Sequence, residues 1–219
     1  MQDDLLRVYH MVNETEVLGP GKLFGLWTQG CPRRCPGCIA PGSHALDGGK
    51  LVQTDRLAAH IRSLPGISGI VVSGGEPFLQ SAPLARLLRQ LREGRDFGVA
   101  IYTGYWLSEL RKMQDPAVRE ILNGLCDLLI DGPYVEELND GMSLRGSANQ
   151  GVHCLTPRWE KEAAELYGKE GRQAEVCMEG DDVFVVGIPQ KGAKQLITRA
   201  LEEQKGPEHC AGGRKGETL

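Results

Sequence analysis

The sequence predicts an α/β fold: a parallel sheet, open or curled into a partial (β/α) barrel-like shape, followed by a small α+β C-terminal extension. Three observations carry this. Short β-rich apolar runs recur through the first 130 residues, amphipathic helical patterns separate them, and glycine-rich clusters follow four of them. The runs cover residues 5–12, 22–27, 67–72, 97–102 and 126–130 and read as strands.

The helices come next. Thr54 is placed to cap one with Leu57, Ala58, Ile61 and Leu64 on a single face. Ser81 is placed to cap a second, with Leu84, Leu87, Leu88 and Leu91 at helical spacing. Asp115 and Pro116 start a third, which Gly124 ends. Strands alternating with helices of this length pair in parallel through crossovers. Beyond residue 154 the pattern changes: Trp159, Ala163, Leu166 and Tyr167 mark a helix, residues 172–178 and 182–188 a hairpin, and Ala193, Leu196, Ile197, Ala200 and Leu201 a closing helix. The division expected is 1–154 as the core domain, 155–205 as the extension and 206–219 as a flexible tail.

Composition narrows the function. With 25 basic and 29 acidic side chains the net charge is −4, and no basic tail or face stands out, which argues against a nucleic-acid binder. No run of about 18 apolar residues is available to span a bilayer, and Met1-Gln2-Asp3-Asp4 is acidic where a secretory signal is basic, so the expectation is a cytoplasmic protein without a membrane role. Glycine and proline supply 41 of 219 residues, against a usual combined share of about 12%. Their clustering points to built loops.

Those loops fall together. TQGCPRRCPGC follows Trp27, SGGEP follows Val72, TGY follows Tyr102's strand and DGPY follows Ile130. Loops leaving the C-terminal ends of parallel strands share one edge of a sheet, where ligands bind. Three of the seven cysteines, Cys31, Cys35 and Cys38, stand within eight residues on the first of these loops. Thiolates are the ligands that soft metals and iron–sulfur clusters select. A structural zinc or an ordinary four-iron cluster uses four protein ligands, so three leave one metal position open. Structural zinc, with His44 or Cys154 as the fourth ligand, is the competing reading, and a non-catalytic zinc or redox module is its functional counterpart.

CPRRCPGC has the CxxxCxxC form typical of radical S-adenosylmethionine enzymes, and SGGEP is similar to the glycine-rich motif those enzymes carry after the next strand. GPGKLFGLWTQGC, TGY, LIDGPY and LRGSANQGVH occur in the order seen in activating proteins of anaerobic ribonucleoside-triphosphate reductases, which residues 5–154 therefore resemble. The resemblance implies the radical S-adenosylmethionine type of barrel-like sheet. It also implies a [4Fe–4S] cluster on Cys31, Cys35 and Cys38, with S-adenosyl-L-methionine bound at the open iron. Gly74 and Gly75 would let the backbone approach the methionine end. Glu76 and Pro77 would shape the turn that meets the ammonium group, and Thr103, Gly104 and Asp131 would line the rest of the cofactor pocket beside Tyr105 and Gly132. Two departures are visible: Glu76 stands where reductase activases often carry Asp, and Gly37 where many radical enzymes have an aromatic residue.

The activity implied is reductive cleavage of S-adenosylmethionine and removal of a hydrogen from a glycine of a partner glycyl radical enzyme, anaerobic ribonucleotide reductase. A radical enzyme acting on a peptide or small molecule is the alternative, although Cys177 and Cys210 are too few for auxiliary clusters. A flavodoxin or ferredoxin-type donor would supply the electron, with Arg33 and Arg34 available to dock it. Arg145, Ser147, Asn149 and Gln150 form a polar cluster that either binds a ligand or braces loops. Cys126 reads as a buried small hydrophobe, and His153 and Cys154 as packing or surface residues.

Overall fold

A computed structural model describes residues 4–167, 171–179 and 182–188. Seven strands form one sheet: β1 (Leu5–Thr15), β2 (Leu23–Thr28), β3 (Lys50–Gln53), β4 (Gly69–Gly74), β5 (Gly98–Tyr102), β6 (Leu128–Asp131) and β7 (Gly151–Cys154). Their spatial order is β3-β1-β2-β4-β5-β6-β7. The centre, β2-β4-β5-β6, is parallel, whereas β1 pairs antiparallel with β2 and β3, and β7 antiparallel with β6.

The five expected strands all form, but the first does not join the parallel set. Only residues 16–22 separate β1 from β2. A parallel connection needs about a dozen residues or more, so the chain turns back on itself instead. Among the described residues the sheet is open, with β3 and β7 at its edges.

Helices α1 (Thr54–Ser63) and α2 (Ser81–Arg92) match the amphipathic patterns. Thr54 and Ser81 are their first helical residues and not their caps. Ser81 Oγ instead donates to Asp115 Oδ2 at 2.5 Å, and Asp115 caps the next helix by accepting from Ala117 N at 2.8 Å. A short α3 (Leu107–Leu110) comes first, and α4 (Pro116–Glu120) then widens into a π-helical turn at Ile121–Leu125 that contains Gly124.

Side chains of the central strands alternate between two buried layers, as period-two geometry requires. Phe24, Leu26, Ile70, Val72, Val99, Ile101 and Leu129 face the helices, against Leu57, Ile61, Leu84, Leu88 and Leu91. Leu23, Trp27, Val71, Ala100, Leu128 and Ile130 face the other way, against Trp159, Ala163 and Val186. That second layer comes from the 3₁₀ turn Pro157–Trp159, from α5 (Glu160–Tyr167) and from the hairpin of β8 (Ala174–Glu179) and β9 (Asp182–Gly187); α5 and the hairpin form where expected. Phe184 lies edge-on to Trp27, ring centroids 5.1 Å apart. The expected closing helix and the tail at 206–219 lie outside the described residues. No described helix is long and apolar enough to cross a membrane.

Candidate metal centre

The parallel register aligns the strand ends that matter: Thr28 lies opposite Gly74, Val72 opposite Ile101, and Tyr102 opposite Ile130. The four glycine-rich loops therefore leave the sheet side by side. They are also fastened to one another. Gly75 N donates to Thr28 O at 2.7 Å, Glu76 N to Gly30 O at 2.8 Å, Thr103 N to Ile130 O at 2.9 Å, and Gly132 N to Tyr105 O at 2.9 Å.

Cys31, Cys35 and Cys38 all sit on the loop after β2, each partly exposed. Gly30 N and Cys31 N donate to Ser43 O and His44 O, which folds the following segment back beneath the cysteines. Cys38 N donates to Cys35 O at 3.2 Å, closing a turn around Gly37 at φ 72°. Burial pushes the Cys31 thiol up; the backbone N–H groups of Arg33 and Arg34 oppose this, and the Glu76 carboxylate adds to it. These N–H groups favour a thiolate at Cys31, the form that binds metal. The donor set thus suits an iron–sulfur cluster: three soft ligands on one braced, accessible loop. Among the described residues no three His, Cys, Asp or Glu side chains are set to hold a single metal ion.

Gly74 and Gly75 have a role within the chain. A Cβ at Gly74, where φ is 103°, would lie 2.5 Å from Thr28 N, and one at Gly75 only 2.3 Å from Gly30 O. The missing side chains admit the backbone that leads into the cysteine loop. Pro77 is buried and opens a 3₁₀ turn, Pro77–Gln80, which Glu76 caps by accepting from Phe78 N at 3.1 Å.

Glu76 is 1% exposed. Its Oε1 also accepts from Thr103 Oγ1 at 2.7 Å, and its Oε2 from Gly104 N at 2.8 Å. Burial raises its carboxyl above the usual range against these hydrogen bonds and the nearby Arg33 charge. Thr103, Gly104 and Glu76 are thereby brought together as one tie between the SGGEP and TGY loops. Asp131 stands apart from that tie. It accepts from Leu107 N at 2.6 Å and Gly151 N at 3.0 Å, with His153 Nε2 3.1 Å away, so it fastens α3 and β7 to the end of β6.

The polar cluster near residue 147 braces the neighbouring loop. Gln150 Nε2 donates to Gly132 O and Asn149 Nδ2 to Pro133 O, both at 2.8 Å, while Ser147 Oγ accepts from Val135 N. Arg145 pairs with Asp140 and reaches Tyr167. The braced loop holds Tyr134 and Glu136 against Gly37: a Cβ there would meet Glu136 Oε2 at 2.9 Å. Cys126 is buried, which raises its thiol, and Cys154 is exposed.

Sequence reasoning missed the brace under the cysteines. Buried Gln29 donates to Ala45 O at 2.6 Å and Gly42 O at 3.2 Å. Gln80 joins it by donating to Gln29 O and Arg7 O, and by accepting from Arg7 N at 2.7 Å. A glutamine beside GCPRRC was the only available signal, and it carries no periodicity.

A family model described as a 4Fe-4S single cluster domain matches residues 17–153, more than half of the chain. The chain belongs to that family, and is thus an iron–sulfur protein whose matched span contains all three clustered cysteines. No curated protein matches it significantly.

Proposed function

We propose that the chain is a radical S-adenosylmethionine enzyme that activates a partner by taking a hydrogen from one of its glycines. The observation that supports this best is the association of a three-cysteine CxxxCxxC loop with the SGGEP loop, backbone against backbone, at the C-terminal edge of the parallel strands. Cys31, Cys35 and Cys38 would hold a [4Fe–4S] cluster with one iron free of protein ligands. When bound and reduced, that cluster would supply one electron to the sulfonium of S-adenosylmethionine, giving methionine and a 5′-deoxyadenosyl radical that takes the glycine hydrogen.

The chain's own residues would hold this reaction in place. Glu76, Thr103 and Gly104 fix the two loops flanking the cysteines, so that an amino-acid ligand would meet the exposed atoms of SGGEP and TGY. Gln29 and Gln80 keep the cysteine loop from shifting under it. A glycine-bearing loop of anaerobic ribonucleotide reductase is the substrate this reading favours, with a flavodoxin or ferredoxin-type protein as donor. Arg34, exposed at φ 46°, is the better placed of the two arginines for docking a donor.

The alternative, action on a peptide or small molecule, draws support from α5 and the β8–β9 hairpin. They cover the second sheet face and lie beyond the matched span. Oxygen-free reconstitution with iron and sulfide, then reduction and product analysis, should yield 5′-deoxyadenosine from the wild type and none from Cys35→Ala. A glycyl radical signal on adding anaerobic ribonucleotide reductase favours the activase; product without that signal favours the alternative. Undiminished product from Cys35→Ala would contradict the ligand assignment.

A further inference from the structure

Of the two arginines between Cys31 and Cys35, Arg34 is exposed, whereas the Arg33 side chain is drawn in to 25% exposure. Its path crosses from the cysteine loop to the segment after β5. The stem passes over Gly104, where a Cβ would stand 2.4 Å from Arg33 Cδ and 2.8 Å from its Nε. The guanidinium lies over the Tyr105 ring, 4.5 Å from its centroid. Arg33 Nη2 ends 3.4 Å from Glu109 Oε2, the same oxygen that accepts from Trp106 N at 2.8 Å ahead of α3. Arg33 Nε is buried and has no hydrogen-bond partner. A donor left unpaired in this way costs free energy, so packing over Gly104 and the ring must hold the side chain in place.

We propose that Arg33 is a positioning residue that latches the cysteine loop to the TGY segment, and that position 104 is glycine so that this latch can close. The fit is close: a Cβ at 104 would overlap the arginine stem, which would have to shift over the ring to make room. The latch also places a fixed cation beside the loop that carries the ligands, and reduction of a cluster is favoured by nearby positive charge. The proposal depends on the three cysteines holding the cluster. It does not depend on S-adenosylmethionine as co-substrate, so a protein that binds the cluster without cleaving that compound would sink the proposed function and leave the latch standing.

The test uses the full-length, reconstituted protein without oxygen. The rate at which a ferrous chelator strips its iron is compared for wild type, R33Q, G104A and the double variant. R33Q should lose iron about fivefold faster, as expected for a lost cation–π contact. G104A should match it, and the double variant should be no faster than either alone, because both substitutions open the same latch. Should G104A fail to fold, Y105L takes its place in the cycle. The midpoint potential gives a second readout: R33Q should lower it, and R33K, which restores the cation, should return it toward the wild-type value. Wild-type iron loss in R33Q, additive effects in the double variant, or a potential that R33K does not recover would each overturn the proposal.

Discussion

Asp127 at the N-terminal end of the parallel strands and Glu76 at the C-terminal end, where Asp131 is buried as well, are carboxylates satisfied differently. At the N-terminal end Asp127 meets Arg92 Nη2 with both oxygens, at 2.8 and 2.9 Å, and accepts from Thr156 Oγ1 at 2.6 Å and Val99 N at 2.8 Å. At the C-terminal end Glu76 is as deeply buried, yet its hydrogen bonds come from a hydroxyl and two backbone N–H groups. A carboxylate bonded directly to a guanidinium fastens α2, β5 and the segment before α5 together. Among the described residues Glu76 has no guanidinium at hydrogen-bond distance; its neutral donors tie the SGGEP and TGY loops together beside the cysteines.

The comparison breaks most visibly at Asp127. Asp127→Ala leaves Arg92 without its buried partner and should cost about 3–5 kcal/mol, measured by chemical denaturation, with cysteine chemistry in the surviving fold unchanged. A smaller loss, about 1–3 kcal/mol for overpacking, should follow Gly75→Ala. Here the added methyl meets Gly30 O and displaces the cysteine loop, so the iron bound per chain should fall more than the stability does.

Glu76→Gln sharpens the contrast through pH. Burial raises the Glu76 pKa on folding, so the native state keeps a proton that the unfolded chain has already released. Its effect on wild-type stability should be most favourable below the ordinary carboxylate range, about pH 4, and should fall as pH rises through the raised native value. The Gln variant should lack that decline. Equal pH slopes in denaturation curves of the two proteins would count against the assignment. Smallest of all, Gln150→Ala should cost about 1 kcal/mol by freeing Gly132 O and the 146–147 turn, with a slight loosening of Tyr134 against Gly37.

The sequence made the parallel centre legible because β2, β4, β5 and β6 are buried on both faces and carry unbroken apolar runs. It concealed β3 and β7, four-residue edge strands without a buried face. The direction of β1 was readable only from the seven-residue connection that follows it. At the site, the three cysteines and the glycine-rich loops were evident from spacing. What the glycines at 74 and 75 make room for was not, since Thr28 and Gly30 approach them from more than 40 residues away in the chain. The Gln29 and Gln80 brace was equally hidden: hydrogen bonds between side chain and backbone across 73 residues leave no pattern in composition or period.

The proposed chemistry needs an iron–sulfur cluster with one corner free of protein. Electron paramagnetic resonance of the reduced protein tests it most directly. Adding S-adenosylmethionine should change the signal of the [4Fe–4S] cluster, because the amino and carboxylate groups would occupy the open iron. An unaltered spectrum at saturating S-adenosylmethionine, or purified protein that holds zinc on these cysteines, would contradict it.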